Sequence, residues 1–241
     1  MRLTKNEDKI SLHINNIMNL NLNKFDKIIS LGATCTFSWL FPLKNFHRCV
    51  FDTSLATSMW AICQLLDNDF ENFLSDMAYE KLYEGGSGNG FATYDKKYFI
   101  RTFGNNPKDS DYLSFCQLMK EKAKEFLNLL KTHSGTILFL RQEEGSFHKY
   151  YGNRLPHASF AEYFVKPEID YVKDFSDMVK NINPNLQFKI LFLSGHDCFV
   201  DKDHNIVVIP DHPLAEFMNK HLHSVMNSHF DIYSQFISQN V

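Results

Sequence analysis

Cys35 is the residue of this chain whose neighbours best suit nucleophilic chemistry. It follows a mostly apolar run, Ile28 to Leu31, and a glycine, Gly32, and an amphipathic pattern begins directly after it. We interpret this order as a buried strand, a tight turn and the first turn of a helix. Free N–H groups and the dipole at a helix N-terminus lower a thiol's pKa and favour the thiolate. The alternative is a small buried cysteine that packs behind the strand.

A cysteine nucleophile needs a base within hydrogen-bond reach and a group that orients that base. His196 and Asp197 follow one later apolar run, and Asp211 and His212 follow another. His196 is our predicted base, with Asp197 or Asp211 beside it, and His212 is an alternative base. Asp197 and His212 are also predicted to bind substrate.

Three further polar residues complete the predicted site. Arg141 ends an apolar run and could hold a carboxylate or a phosphate with two hydrogen bonds. Asp52 is an orienting acid in one interpretation. In the other it is the N-cap of a helix from about Ser54 to Leu66, because aspartate is among the best N-caps. Arg48 is a second predicted substrate-binding cation.

These residues need a scaffold that brings distant parts of the chain together. Apolar strands alternate with amphipathic helices, which predicts an α/β fold with a mostly parallel central sheet flanked by helices, in a Rossmann-like three-layer arrangement. The predicted strands are 26–31, 136–140, 188–193 and 205–210, and the clearest helices are 109–131 and 170–181. Ligands bind beyond the carboxyl ends of such strands, so Cys35, Arg141, His196 and His212 are expected to meet there.

Smaller elements complete the predicted fold. A hairpin is expected over 91–103, a lid or long loop over 145–167, and another short helix over 69–74. The lysines at 120, 122 and 124 lie among acidic residues and are interpreted as the solvated face of the long helix. Cys116 falls on its apolar side and is assigned to the core. We expect one domain over 25–241 after a lead-in segment over 1–24.

Composition limits the class of protein. The formal charge of −3 gives no basic field for nucleic acid, and no apolar run approaches the roughly 20 residues that span a bilayer. The N-terminus lacks the apolar core of a signal peptide, and the five cysteines are odd in number and widely spaced. We therefore expect a cytoplasmic protein with reduced thiols. No zinc-like spacing is present, so neither a metal nor another cofactor is predicted, and the oligomeric state stays open.

Two motif-like stretches carry little chemistry. The glycine-rich segment 84–90 lacks the lysine and hydroxyl residue of a P-loop and is interpreted as a surface loop. The DxxH pattern from Asp201 to His204 resembles that of serine esterases, but it falls in a predicted hairpin turn.

The stretch from Ile29 to Cys35, followed by Arg48 and Phe51-Asp52, resembles a bacterial family of unknown function whose members are described as papain-like cysteine peptidases. Members of this family begin with a strand of the pattern SLGxxC, followed by an arginine and by a segment that resembles PFDW. Later in these proteins come a long helix and an apolar strand that ends in arginine, and the predicted helix from Asp109 and the strand ending in Arg141 follow the same order. Val50 and Thr53 replace the proline and tryptophan, and Arg101 stands where a histidine is expected.

The resemblance implies a cysteine-dependent hydrolase or acyl transferase that acts on a small or glycan-linked substrate in cell-surface polysaccharide metabolism. The alternative is a non-catalytic binding module for a sugar phosphate or a nucleotide-sugar in the same crevice, which is motivated by the two arginines and the missing histidine. A third interpretation is an interaction protein that uses the aromatic segment 145–167. Fold analogy alone does not decide among them.

Overall fold

The structure is a computed structural model, and it describes residues 24–32, 44–51, 55–75, 77–81, 90–95, 97–98, 100–105, 109–143, 166–194 and 199–210. Its strands are β1 (Lys27–Ser30), β2 (Leu55–Ala56), β3 (Met77–Lys81), β4 (Gly90–Asp95), β5 (Ile100–Asn105), β6 (Thr136–Gln142), β7 (Gln187–Ser194), β8 (Phe199–Asp201) and β9 (Ile206–Pro210). Its helices are α1 (Met59–Asp67), α2 (Asp109–Thr132) and α3 (Glu168–Ile182).

The main sheet has five strands in the order β1-β6-β7-β9-β8. The first four are parallel, and β8 pairs antiparallel with β9 at the edge. The mostly parallel α/β sheet predicted from the alternating pattern is therefore confirmed. The other edge is also paired, because His47 donates its backbone N–H to the Ile28 carbonyl oxygen at 2.8 Å, and Ile28 donates to that of Asn45 at 2.9 Å.

All three described helices pack on one face of this sheet. Phe139 on that face contacts Phe175 of α3 edge to face, with ring centroids 5.2 Å apart. In chain order, β1, β6 and β7 are added next to one another in one direction across the sheet. Right-handed crossovers between strands added in this way place the connecting helices on the same face of the sheet. In a doubly wound sheet the strand order reverses direction at one point, and the described parallel strands show no such reversal. The Rossmann-like three-layer arrangement therefore stays a prediction. The opposite face is buried as well, through Ile28, Leu138, Leu140, Leu191 and Leu193.

A second, antiparallel sheet has the order β2-β5-β4-β3. Its β4–β5 pair confirms the predicted hairpin, which is part of a four-stranded sheet. Asp95 at the hairpin turn is fully buried, and its carboxylate accepts hydrogen bonds from the backbone N–H groups of Leu74, Lys97 and Tyr98 at 2.9–3.0 Å. Asp95 thus connects this sheet to the segment that follows α1.

Two local predictions were wrong. The helix expected from Ser54 begins at Met59, and its N-cap is Ser58, whose hydroxyl oxygen accepts from the Ala61 N–H at 3.1 Å. The proposed capping of this helix by Asp52 is therefore wrong, because Leu55–Ala56 pairs with β5 and the chain turns helical only after a later hydroxyl residue. The segment 69–74 forms turns, and Asp69, Phe70, Asn72 and Leu74 have positive φ angles of 50–62°.

Candidate functional site

The carboxyl ends of the four parallel strands lie along one edge of the main sheet. They are Ser30 of β1, Gln142 of β6, Ser194 of β7 and Pro210 of β9. At the level of the backbone, the predicted convergence of these strand ends is confirmed. Residues that immediately follow the strands therefore start from a common edge, which is where parallel sheets bind ligands.

The end of β1 is followed by a glycine in a left-handed conformation. Gly32 has a φ angle of 75°, a left-handed conformation in which a side chain would be strained. Its N–H donates to the Ser30 hydroxyl at 3.2 Å. The Cys49 thiol donates to the Ser30 carbonyl oxygen at 3.2 Å. The predicted turn at Gly32 thus begins from a strand end that the neighbouring segment holds in place.

Arg141 is a fully buried cation at this edge. Its Nε donates to Oε1 of Glu168 at 2.7 Å, and its Nη2 forms an ion pair with the same oxygen. Its Nη1 donates to the carbonyl oxygens of Leu31 at 3.0 Å and of Thr57 at 2.6 Å. One guanidinium therefore ties together the end of β1, the residue before the N-cap of α1 and the first residue of α3. Its predicted contact with an anionic substrate stays a prediction.

A carboxylate and a hydroxyl pair between β6 and β7 at the same edge. Ser194 is fully buried and donates its hydroxyl to Oε2 of Glu143 at 2.6 Å. The Glu143 backbone N–H donates to the Leu193 carbonyl oxygen at 2.7 Å. Because β6 lies between β1 and β7, this fixed carboxylate stands between the strand that leads to Cys35 and the strand that leads to His196.

Sequence reasoning did not identify Glu168 as the partner of Arg141, although a helix-start signal was available. Glu168 follows a proline and opens a helix whose first turn is acidic, which is a recognisable pattern. The pattern gives no means of pairing it with an arginine 27 positions away.

Two polar atoms at this edge are buried and have no hydrogen-bond partner among the described residues: Oγ1 of Thr57 and Oε1 of Gln142. Thr57 is 1 % exposed and Gln142 is 4 % exposed. A buried polar atom without a partner is costly, so these atoms mark positions where a ligand or a water could bind.

Most residues of the predicted site lie outside the described residues: Cys35, Asp52, His196, Asp197 and His212. Their assigned roles stay predictions, as do the expected lid over 145–167 and the glycine-rich loop. Of the two that the structure describes, Arg141 is buried at the carboxyl edge, whereas Arg48 is exposed on the segment that runs beside β1.

None of the three histidines that the structure describes lies at the carboxyl edge. His47 pairs with Ile28 inside β1, His133 precedes β6, and His204 precedes β9. Burial first, and the Lys27 ammonium second, lower the pKa of the His47 imidazole. None of these three histidines is therefore a candidate base at that edge.

The described cysteines, Cys49, Cys63 and Cys116, are all buried free thiols, and the core assignment of Cys116 is confirmed. Burial raises the pKa of the Cys63 thiol to about 12, and this thiol donates to the Tyr171 carbonyl oxygen at 3.4 Å. These residues belong to the core and not to a reactive site.

The DxxH pattern does lie in a hairpin turn, between β8 and β9, as predicted. His204 Nδ1 is 2.9 Å from Oδ2 of Asp201, and its Nε2 is 3.7 Å from Oδ2 of Asp177 on α3. The Ser176 hydroxyl donates to the His204 carbonyl oxygen at 2.6 Å. These contacts hold the hairpin against α3, so the pattern has a structural role here.

Across the described ranges, no group of three or more histidine, cysteine, aspartate or glutamate residues is arranged to hold a metal ion. No described helix is both long and apolar enough to cross a membrane. The chain matches no protein-family model, no curated protein and no solved structure. The resemblance to the papain-like cysteine peptidases therefore still depends on the motif residues alone.

Proposed function

We propose that this protein is a cysteine-dependent hydrolase or acyl transferase whose site lies at the carboxyl edge of the parallel sheet. Cys35 is the nucleophile and His196 is the base. Asp52 or Asp197 orients the imidazole, and His212 and Arg48 are available to bind substrate. The resemblance of the first motif supports this class of reaction, and the common edge of the parallel strands supports this location.

The observation that carries this proposal is the strand order β1-β6-β7 with parallel pairing. Cys35 follows Gly32 by three residues, and His196 follows Ser194 by two, so an extended chain reaches about 10 Å and about 7 Å respectively. The ends of β1 and β7 are two strand spacings apart, about 10 Å. The connecting chain is therefore long enough for the thiol and the imidazole to come within hydrogen-bond distance.

In this proposal Arg141 is a positioning residue. Its hydrogen bond to the Leu31 carbonyl oxygen fixes the backbone one residue before the turn that leads to Cys35. Its ion pair with Glu168 and its bond to Thr57 fix the start of two helices against the same strand end. A site held by buried contacts keeps its reacting groups in a narrow range of positions, which catalysis requires.

The chemistry proceeds in two steps. The Cys35 thiolate attacks the carbonyl carbon of an acyl substrate, and the tetrahedral intermediate collapses as the imidazolium of His196 protonates the leaving group. The resulting thioester is then attacked by water, which gives hydrolysis, or by another acceptor, which gives transfer. His196 removes the proton from that second nucleophile, and the thiolate is released. A glycan-linked substrate and a cytoplasmic location belong to the same proposal.

The test is labelling with iodoacetamide, followed by peptide mass spectrometry. We expect native protein to be labelled at Cys35 at neutral pH, and Cys35→Ala to abolish this labelling while the core variant Cys116→Ala leaves it unchanged. His196→Gln is expected to lower the labelling rate at pH 7 at least tenfold, because the thiolate loses its partner.

Slow labelling of Cys35 that His196→Gln does not alter would contradict the enzyme. A thermal-shift screen with nucleotide-sugars then tests the alternative of a binding module, because a ligand that binds only the folded state raises the melting temperature.

A further inference from the structure

A cleft of about 310 Å³ lies between α2 and the turns that follow α1. This volume is at the lower end of the range for small-molecule pockets, about 300–1,000 Å³. The cleft is separate from the proposed catalytic edge, because Asp69 at its rim follows the C-terminal end of α1, whereas Thr57 at the other end of α1 contacts Arg141. The nine residues of α1 span about 13 Å.

The floor of the cleft is formed by core side chains. Phe70, Phe73 and Ala123 line it, and all three are buried. The rings of Phe70 and Phe73 meet edge to face at 5.8 Å, and Phe70 also packs against Phe126 at 6.4 Å. The floor therefore belongs to the main core.

The wall formed by residues 69–75 has an unusual backbone that its surroundings hold in place. Positive φ angles at non-glycine residues are sparsely populated and occur where the surrounding structure enforces them, often at ligand sites. Here the Asp95 carboxylate accepts from the Leu74 N–H, and the Tyr98 hydroxyl donates to the Glu71 carbonyl oxygen at 3.0 Å. The wall is thus fixed from behind by the antiparallel sheet.

The opposite wall carries two lysines that pair with no acidic side chain among the described residues. Lys120 and Lys124 lie one helical turn apart on α2, both exposed and both lining the cleft. Like charges at this spacing destabilise a helix slightly. In the described part of the chain no carboxylate lies within 4 Å of either one: Asp69 pairs with Lys131 at 3.4 Å, and Glu121 accepts from the Gln117 amide at 2.8 Å. An anion between the two ammonium groups would remove their repulsion.

We propose that this cleft binds a small phosphorylated polyol, such as a sugar phosphate. The phosphate lies between Lys120 and Lys124, and the hydroxyl groups meet the polar side chains of Asn72, Ser75 and Gln117. The Ser75 hydroxyl donates to the Asn72 carbonyl oxygen at 2.6 Å, which leaves its oxygen free to accept. This function is independent of Cys35, and these lysines are more than the solvated face that the sequence indicates.

The test is titration of the full chain with glucose 6-phosphate by calorimetry, with amide NMR shifts to locate the site. We expect the Lys120→Gln/Lys124→Gln double variant to bind at least tenfold more weakly. Lys122→Gln removes the same kind of charge from the same helix outside the cleft and is expected to change the affinity less than twofold. The Cys35→Ala variant is expected to bind normally, so this result does not depend on the proposed enzyme.

Inorganic phosphate and glucose are the two comparison probes. Glucose 6-phosphate is expected to bind at least fivefold more tightly than phosphate, and glucose alone is not expected to bind. Equal affinity for phosphate and sugar phosphate would overturn the assignment of a polyol. Unchanged binding by the double variant, equal weakening by Lys122→Gln, or shifts that avoid 69–75 would overturn the site.

Discussion

The Arg141 guanidinium and the Glu168 carboxylate form an ion pair in which the arginine is fully buried and the glutamate side chain is 14 % exposed. The pair joins the carboxyl end of β6 to the first residue of α3. An acidic side chain is also favourable at that position because it faces the positive end of the helix dipole. The two residues therefore fix the corner of the sheet at which the proposed site is built.

Removing the arginine is expected to destabilise the protein strongly. Arg141→Met leaves the Glu168 carboxylate and two buried carbonyl oxygens without their donors, and breaking a buried pair costs about 3–5 kcal/mol. We expect urea denaturation to show a loss of about 3 kcal/mol in the free energy of unfolding. Arg48→Met, which changes an exposed arginine in the same way, is expected to cost less than about 1 kcal/mol.

The double variant Arg141→Met/Glu168→Leu measures how much these two side chains stabilise each other. It is expected to be less destabilised than the sum of the single variants, because neither buried charge is then left alone. Additive losses would show that the two side chains do not stabilise each other.

The core thiols are expected to resist alkylation in the folded protein. The pKa of Cys63, raised by burial to about 12, leaves almost no thiolate at pH 8. Cys49 and Cys116 are enclosed in the same core. Peptide mass spectrometry after iodoacetamide treatment is therefore expected to find these three unmodified in buffer and modified in 8 M urea. Modification of Cys63 in buffer, at the rate seen in urea, would mean that the core around α1 opens readily.

Asp201 is expected to make stability depend on pH in the acid range. Burial by itself would raise its pKa, but hydrogen bonds from the backbone N–H and the imidazole of His204 outweigh burial and hold the pKa below the usual 3.8. Because the folded value is the lower one, Asp201 adds stability above about pH 4. That contribution is lost as the pH falls through the lowered value.

Asp201→Asn tests this dependence. We expect a loss of about 1 kcal/mol in the free energy of unfolding at pH 7, and a smaller difference from the parent protein at pH 3. Asp203→Asn, in the same turn, is the matched control and is expected to show no such change with pH. A deficit of the same size at both pH values would mean that the ionised carboxylate is not the stabilising form.

The sequence predicted the parallel strands and the long helices well because the apolar pattern of each segment matches the way that segment is buried in the fold. The run from Ile137 to Leu140 is apolar throughout, as a strand buried on both faces requires, and α2 repeats its apolar residues at helical spacing. Prediction failed after α1, where 69–74 has an apolar and acidic pattern but adopts turns. The buried Asp95 carboxylate and Tyr98 fix that backbone from another sheet, which no local pattern records.

By itself the sequence determined the class of fold, the turn at Gly32 and the common edge at which its candidate residues follow their strands, because these depend on neighbours along the chain. Tertiary structure decided how Arg141 is used and where a basic cleft forms. The buried guanidinium of Arg141 donates hydrogen bonds to Glu168, Leu31 and Thr57, which no local pattern indicated. Two lysines on a solvated helix face line a cleft because turns from another part of the chain pack beside them. Such pairings join residues far apart in the chain, so they exist only once the chain has folded.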